Sequence, residues 1–172
     1  MTNDIDRVAS PRLALIRRAV GAWAGLAFLS LATPACAHDF RLGPLVIDHP
    51  YAIPTPAGSQ VGAVFFRTLM NTGAQPDRLV AARSANAASV EIQRGILEGG
   101  VTRARSLPSL DLPPGAELKL RHDGDIRLAL IDLKAPLQDG QCFPLWLRFE
   151  RAGEREVKVC VQTPRGRMAH PH

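Results

Sequence analysis

The chain has 172 residues, 46% of them apolar, and a formal charge of +5 at neutral pH. That length and apolar share fit one compact domain and exclude a disordered chain. Aromatics at 5% and no Lys/Arg-rich run exclude a stacking or phosphate-tracking surface for nucleic acid, while 14 Gly and 14 Pro argue for a loop-rich β architecture.

Arg12, Arg17 and Arg18 precede an uncharged apolar stretch, 19–32, that runs into Thr33-Pro34-Ala35-Cys36-Ala37. A basic region, a short apolar run and small residues at 35 and 37 make the pattern of an export signal. The pattern predicts a cleaved signal peptide over 1–37, with cleavage between Ala37 and His38. A membrane anchor is the competing reading, but the run falls short of the roughly 20 residues that span a bilayer. Arg17-Arg18 lacks the rest of a twin-arginine signal, and Thr33-Pro34 before Cys36 is a poor lipoprotein signal. The expected product is a periplasmic chain from His38 to His172 with a net charge of +3.

Short apolar runs separated by turn signals then follow one another. They are Leu45–Ile47, Val61–Met70, Arg78–Ala82, Ser89–Gln93, Val101–Leu107, Glu117–Leu120, Ile126–Leu133, Phe143–Glu150 and Arg155–Gln162. Glu98-Gly99-Gly100 reads as a hairpin turn, and no segment carries a helical period beyond the leader. Some nine or ten short strands at this spacing predict an all-β sandwich formed by a single domain, 38–162, with a flexible tail over 163–172.

The last hairpin carries the two cysteines of the mature chain. Phe143, Leu145, Leu147 and Phe149 alternate with polar residues, as do Val157, Val159 and Val161, so both sets face the core. Cys142 and Cys160 share the outward parity. A register that pairs Arg148 with Glu156 leaves the cysteines one diagonal step apart, near the reach of a disulfide, so a disulfide and two free thiols both stay open. An oxidising compartment favours the disulfide.

Several landmarks together carry a family resemblance. His49-Pro50-Tyr51-Ala52, Gly62-Ala63-Val64-Phe65-Phe66, Asn71-Thr72-Gly73, Asp77-Arg78-Leu79-Val80-Ala81-Ala82, Val90-Glu91-Ile92-Gln93, Leu112-Pro113-Pro114-Gly115 and Leu133-Lys134-Ala135-Pro136-Leu137 come in order between Leu42 and Val161. In order and spacing they resemble the periplasmic copper chaperones called PCu(A)C. The resemblance implies a cupredoxin-like Greek-key β-sandwich, bound copper, and a role in loading a cuproenzyme such as cytochrome oxidase.

The resemblance also implies a Cu(I) site of two His and two Met, a soft donor set for a soft ion. Carried over position by position, the ligands fall on Gln93, Ala104, Arg127 and Ala129. A second count for the last pair gives Ile126 and Leu128. None of these is an imidazole or a thioether, so the expectation is a divergent member without the usual site.

Other residues are candidates for a non-standard copper site. His38 would follow the cleavage point, where a free amine and the imidazole can chelate Cu(II). Met168, His170 and His172 lie in a tail resembling the His/Met-rich tails of some family members. His122 with Asp123 and Asp125 offers donors for a harder divalent ion, with a solvated turn as the leading reading. His49 and Met70 read as structural. The competing function is a metal-free protein-binding module, whose surface would combine an exposed Trp146 with Arg94, Arg103, Arg105 and Arg127. No Gly-x-Ser-x-Gly, His-Glu-x-x-His or phosphate-loop pattern points to an enzyme.

Overall fold

The computed structural model describes residues 39–164. Among them there is no helix. The eleven strands are β1 (Asp39–Leu42), β2 (Leu45–Ala52), β3 (Val61–Asn71), β4 (Asp77–Ser84), β5 (Ala87–Glu98), β6 (Val101–Leu107), β7 (Leu110–Leu112), β8 (Glu117–Leu120), β9 (Ile126–Leu133), β10 (Cys142–Phe149) and β11 (Gly153–Val161). The predicted runs all become strands. The short β1 and β7 have no apolar run of their own and escape the sequence pattern.

Hydrogen bonding runs β2-β11-β10-β4-β5-β9-β3 and returns to β2, so the sheet closes on itself in barrel-like fashion. Strands β1, β6, β7 and β8 attach at its rims. Every pairing is antiparallel except β2 with β11. Closure removes the free edges that an open sheet would expose.

Alternating residues from opposing strands fill one core. Ile47, Val64, Phe66, Leu69, Leu79, Leu128, Leu130, Leu145, Leu147, Phe149 and Val159 are all buried in it. On β3 the alternation breaks at Arg67–Thr68, where pairing with β8 shifts register between Phe66 and Leu69. That irregularity turns both Phe66 and Leu69 inward, and it leaves Met70 half-buried rather than in the core.

Buried polar side chains satisfy loop backbone. Asp77 accepts the N–H groups of Arg78 (2.8 Å), Arg151 (3.0 Å) and Ala152 (2.9 Å), so it ties β4 to the β10–β11 turn. Asn71 donates through Nδ2 to the carbonyls of Gln75 and Leu112, while its Oδ1 accepts the Gly73 N–H.

The β10–β11 turn is tighter than the sequence suggests. Phe149 pairs with Gly153, whose φ of 90° closes a three-residue loop with no Cβ in the way. Arg148 therefore faces Glu154, not Glu156, and Cys142 lies directly opposite Cys160. The two are joined as a disulfide with Cα atoms 4.1 Å apart.

Candidate functional site

Strands β5, β6 and β9 bring the four family ligand positions to one region. Gln93 pairs with Arg127 on one side and with Ser106 on the other. Ala129 pairs with Glu91, two residues from Gln93, and is fully buried. Ala104 pairs with Gly95 on the rim strand. Period-two alternation puts Gln93, Arg127 and Ala129 on the same face. Leu128, the alternative position, is paired with Ile92 and points into the core.

A polar network occupies this face. Arg127 donates through Nε and Nη2 to Gln93 Oε1, each at 3.3 Å. The Gln93 amide donates to Glu91 Oε2 at 3.0 Å, and the Ser106 hydroxyl donates to the same oxygen at 2.6 Å. The Ser106 hydroxyl, then the Gln93 amide, hold the Glu91 carboxyl below its ordinary range. The side chains at the four positions present an amide, two methyl groups and a guanidinium. They do not fit a copper ion: none is soft, and the guanidinium sets a fixed positive charge beside any cation.

His122 stands next to this face in the turn between β8 and β9. Its backbone N–H donates to the Tyr51 hydroxyl oxygen at 3.1 Å, and its ring Nδ1 lies 3.1 Å from the same oxygen. The ring meets Tyr51 and Phe65 edge-on, with interplanar angles of 77° and 81°. His49 flanks Tyr51 on the chain, with ring centroids 5.9 Å apart, and its Nε2 is 3.0 Å from the Gln162 amide. Its φ of 45° is unusual for a non-glycine strand residue.

The His122 ring lines a cleft of about 640 Å³ together with Tyr51, Asp139, Gln162, Thr163 and Pro164. Asp139 accepts both the backbone N–H (2.6 Å) and the hydroxyl (3.0 Å) of Thr163. The chain beyond β11 is thus fixed as far as Thr163, inside the stretch expected to be tail. Asp123 and Asp125 do not converge on His122: they pair with Arg121 (3.5 Å) and Arg94 (3.4 Å). Among the described residues no group of three His, Cys, Asp or Glu side chains is placed to hold a metal.

His38, Met168, His170 and His172 lie outside the described residues. Trp146 is half-buried rather than exposed, because the Arg83 guanidinium covers its ring at 4.4 Å. It sits on β10 between Arg83 and Glu156, whereas Arg94, Arg103, Arg105 and Arg127 lie on β5, β6 and β9. Strand pairing therefore does not assemble the tryptophan and these arginines into the expected patch.

Tyr51, Asp139, Glu91 and Ser106 were not legible as site residues. Tyr51 belongs to the His49-Pro50-Tyr51-Ala52 landmark, which is the one available signal. The other three acquire their roles only through pairing between distant strands.

No helix among the described residues is long and apolar enough to cross a membrane. Solved structures with this fold include the copper-free PCuAC domain from PmoF1, which is 26% identical with a TM-score of 0.62 and covers 74% of this chain and 100% of that domain. The copper-bound PCuAC domain from PmoF2 matches with 24% identity and a TM-score of 0.62, over 74% of this chain and 99% of the other. The copper(I) form of DR1885 from Deinococcus radiodurans is 25% identical with a TM-score of 0.57, over 76% of this chain and 84% of that one. Among curated sequences, "Putative lipoprotein Lxx21020" of Leifsonia xyli subsp. xyli is 32% identical over 107 residues, which are 62% of this chain. The match spans 63% of that relative's length. The family described as "Putative lipoprotein LpqE-like" matches residues 45–161, and with that match the chain belongs to the LpqE-like family, as a divergent relative of the PCuAC copper-chaperone domains.

Proposed function

We propose that this protein is an exported, non-enzymatic copper carrier that holds copper outside the face formed by Gln93, Ala104, Arg127 and Ala129. The observation that carries the reading is the fold: the sheet superposes on the whole of a PCuAC domain at a TM-score of 0.62. In this reading the signal peptide, 1–37, is removed in the periplasm and the domain 38–162 serves as scaffold. His38 and the tail residues Met168, His170 and His172 supply the copper ligands. Imidazole and thioether donors suit both copper oxidation states, and ligands on a terminus release the ion readily to an acceptor. The acceptor would be a cuproenzyme such as cytochrome oxidase.

The Arg127–Gln93–Glu91 network favours a second reading, in which the domain has become a metal-free module that docks on a protein. Fold alone does not decide between them. Titration of the mature protein with Cu(I) and with Cu(II), against a form lacking residues 168–172, separates the two. One tightly bound equivalent that is lost on truncation supports the carrier. No binding above the background of scattered histidines leaves the module.

A further inference from the structure

The β5–β6 hairpin carries an edge that closure of the sheet does not cover. Strand β6 pairs with β5 alone, so its other side is open. Every residue of β6 from Val101 to Ser106 is exposed. Leu97 and Val101, at the hairpin tip, are 71% and 60% exposed, more than any other large apolar side chain among the described residues. An open edge with apolar residues beside it is a template for another strand.

The turn fixes which backbone groups that edge offers. Gly99 and Gly100 have φ of 59° and 82°, the two positive values of a type I′ loop. In such a turn the Glu98 carbonyl accepts the Val101 N–H. Antiparallel ladders alternate, so Arg103 and Arg105 bond across to Ile96 and Arg94, while Thr102, Ala104 and Ser106 turn their N–H and C=O groups to the open side. No backbone partner meets these groups among the described residues.

Side-chain alternation sorts the two faces. Thr102, Ala104 and Ser106, small and uncharged, share one face with Leu97. Val101, Arg103 and Arg105 lie on the other, where Arg94 stands directly opposite Arg105. Like charges so placed destabilise a strand pair, so the hairpin itself gains nothing from them. Arg105 meets Glu98 at 2.9 Å and Arg94 meets Asp125 at 3.4 Å, while Arg103 has no carboxylate among the described residues. A second copy of β6 on this edge would set arginine against arginine. The charge therefore disfavours self-pairing and suits carboxylates.

We infer that the open edge of β6 docks an extended segment of a partner protein that alternates acidic with apolar residues. The backbone of that segment continues the ladder on Thr102, Ala104 and Ser106. Its carboxylates face Arg103 and Arg105, and its apolar side chains lie over the small residues beside Leu97. Main-chain bonds supply affinity in this mode, and the alternating side chains select the partner. The inference goes beyond the copper-carrier reading and does not depend on where copper sits.

The test titrates isotope-labelled mature protein with a synthetic peptide that alternates Glu with Val, and separately with one that alternates Lys with Val. The acidic peptide should shift the amides of Thr102, Ala104 and Ser106 and protect them from exchange, and the basic one should bind about tenfold more weakly. Ala104→Pro removes an outward N–H without breaking a ladder bond, so the far-UV spectrum should be unchanged and peptide binding lost. Arg103→Glu/Arg105→Glu should reverse the preference between the two peptides. If the acidic peptide fails to bind, binds Ala104→Pro equally well, or shifts amides elsewhere, the inference falls and the arginines serve only to keep copies apart. If both peptides bind alike, the acidic partner falls. Copper is absent throughout, so these results leave the copper-carrier reading to its own titration.

Discussion

Loss of the disulfide should cost this protein a large part of its stability, and the cost can be worked from the structure. Cys142 and Cys160 are 18 residues apart and directly opposed at the open end of the β10–β11 hairpin. Closing a loop of that length in the unfolded chain removes about 11 cal/mol/K of entropy, or about 3 kcal/mol at room temperature. For a mature chain of this size the equivalent drop in Tm is about 10 °C. Cys142 is exposed and Cys160 half-buried, so serine at both positions adds no unsatisfied buried group and the loss reports the cross-link itself. The assay is urea unfolding of Cys142→Ser/Cys160→Ser beside the wild type with and without reductant. The double variant and the reduced wild type should agree. A loss below about 1 kcal/mol, well under the range for such cross-links, would refute the reasoning and mean that the hairpin is as ordered in the unfolded ensemble as the bond would make it.

Asp77→Ala leaves the N–H groups of Arg78, Arg151 and Ala152 without their acceptor, and should cost about 2–4 kcal/mol in urea unfolding, more than an exposed cap would. Gly153→Ala forces a side chain onto a φ of 90° and should cost about 1–2 kcal/mol, while Gly153→Asn should cost less. Asp48 is held below its ordinary pKa chiefly by the Arg67 guanidinium, so its contribution is present above the unfolded value and lost as pH falls through the folded one. Asp39 shifts the other way, raised by its hydrogen bond to Asp48, so it weakens the fold as pH rises. Arg67→Met should therefore flatten the rise in stability between pH 2 and pH 6 (about the carboxylate range) seen by thermal melts. Mass spectrometry of protein from an exporting host should give a chain starting at His38; an acylated chain starting at Cys36 would contradict the cleavage site.

The strands of this fold were legible because the core is built by alternation, and alternation survives in sequence. Phe143, Leu145, Leu147 and Phe149 face inward as the pattern requires. What sequence could not carry was set by single residues acting on long-range geometry. Gly153 shortens the last turn, and that moves the β10–β11 register by two residues and brings the cysteines face to face. The irregularity at Arg67–Thr68 reverses the parity of β3, so Met70 leaves the core. Arg83, distant from Trp146 in sequence, hides a ring that reads as exposed.

Spacing along the chain picks out Gln93, Arg127 and Ala129, and strand pairing places them on one face. The network that Arg127, Gln93, Glu91 and Ser106 form there had no sequence signal, because its members come from three strands. The Tyr51–His122 pairing spans 71 residues and was equally hidden.

The central claim is that copper is held by the tail and not by the face of β5 and β9. Copper content after equilibrium dialysis tests it most directly, measured for the intact mature protein, for a form lacking residues 168–172, and for Gln93→Ala/Arg127→Ala. The account predicts one equivalent in the intact protein, one in the double variant, and none in the truncated form. A truncated form that keeps its copper would contradict the tail as the holder, and a double variant that loses it would return the site to the face where Gln93 meets Arg127.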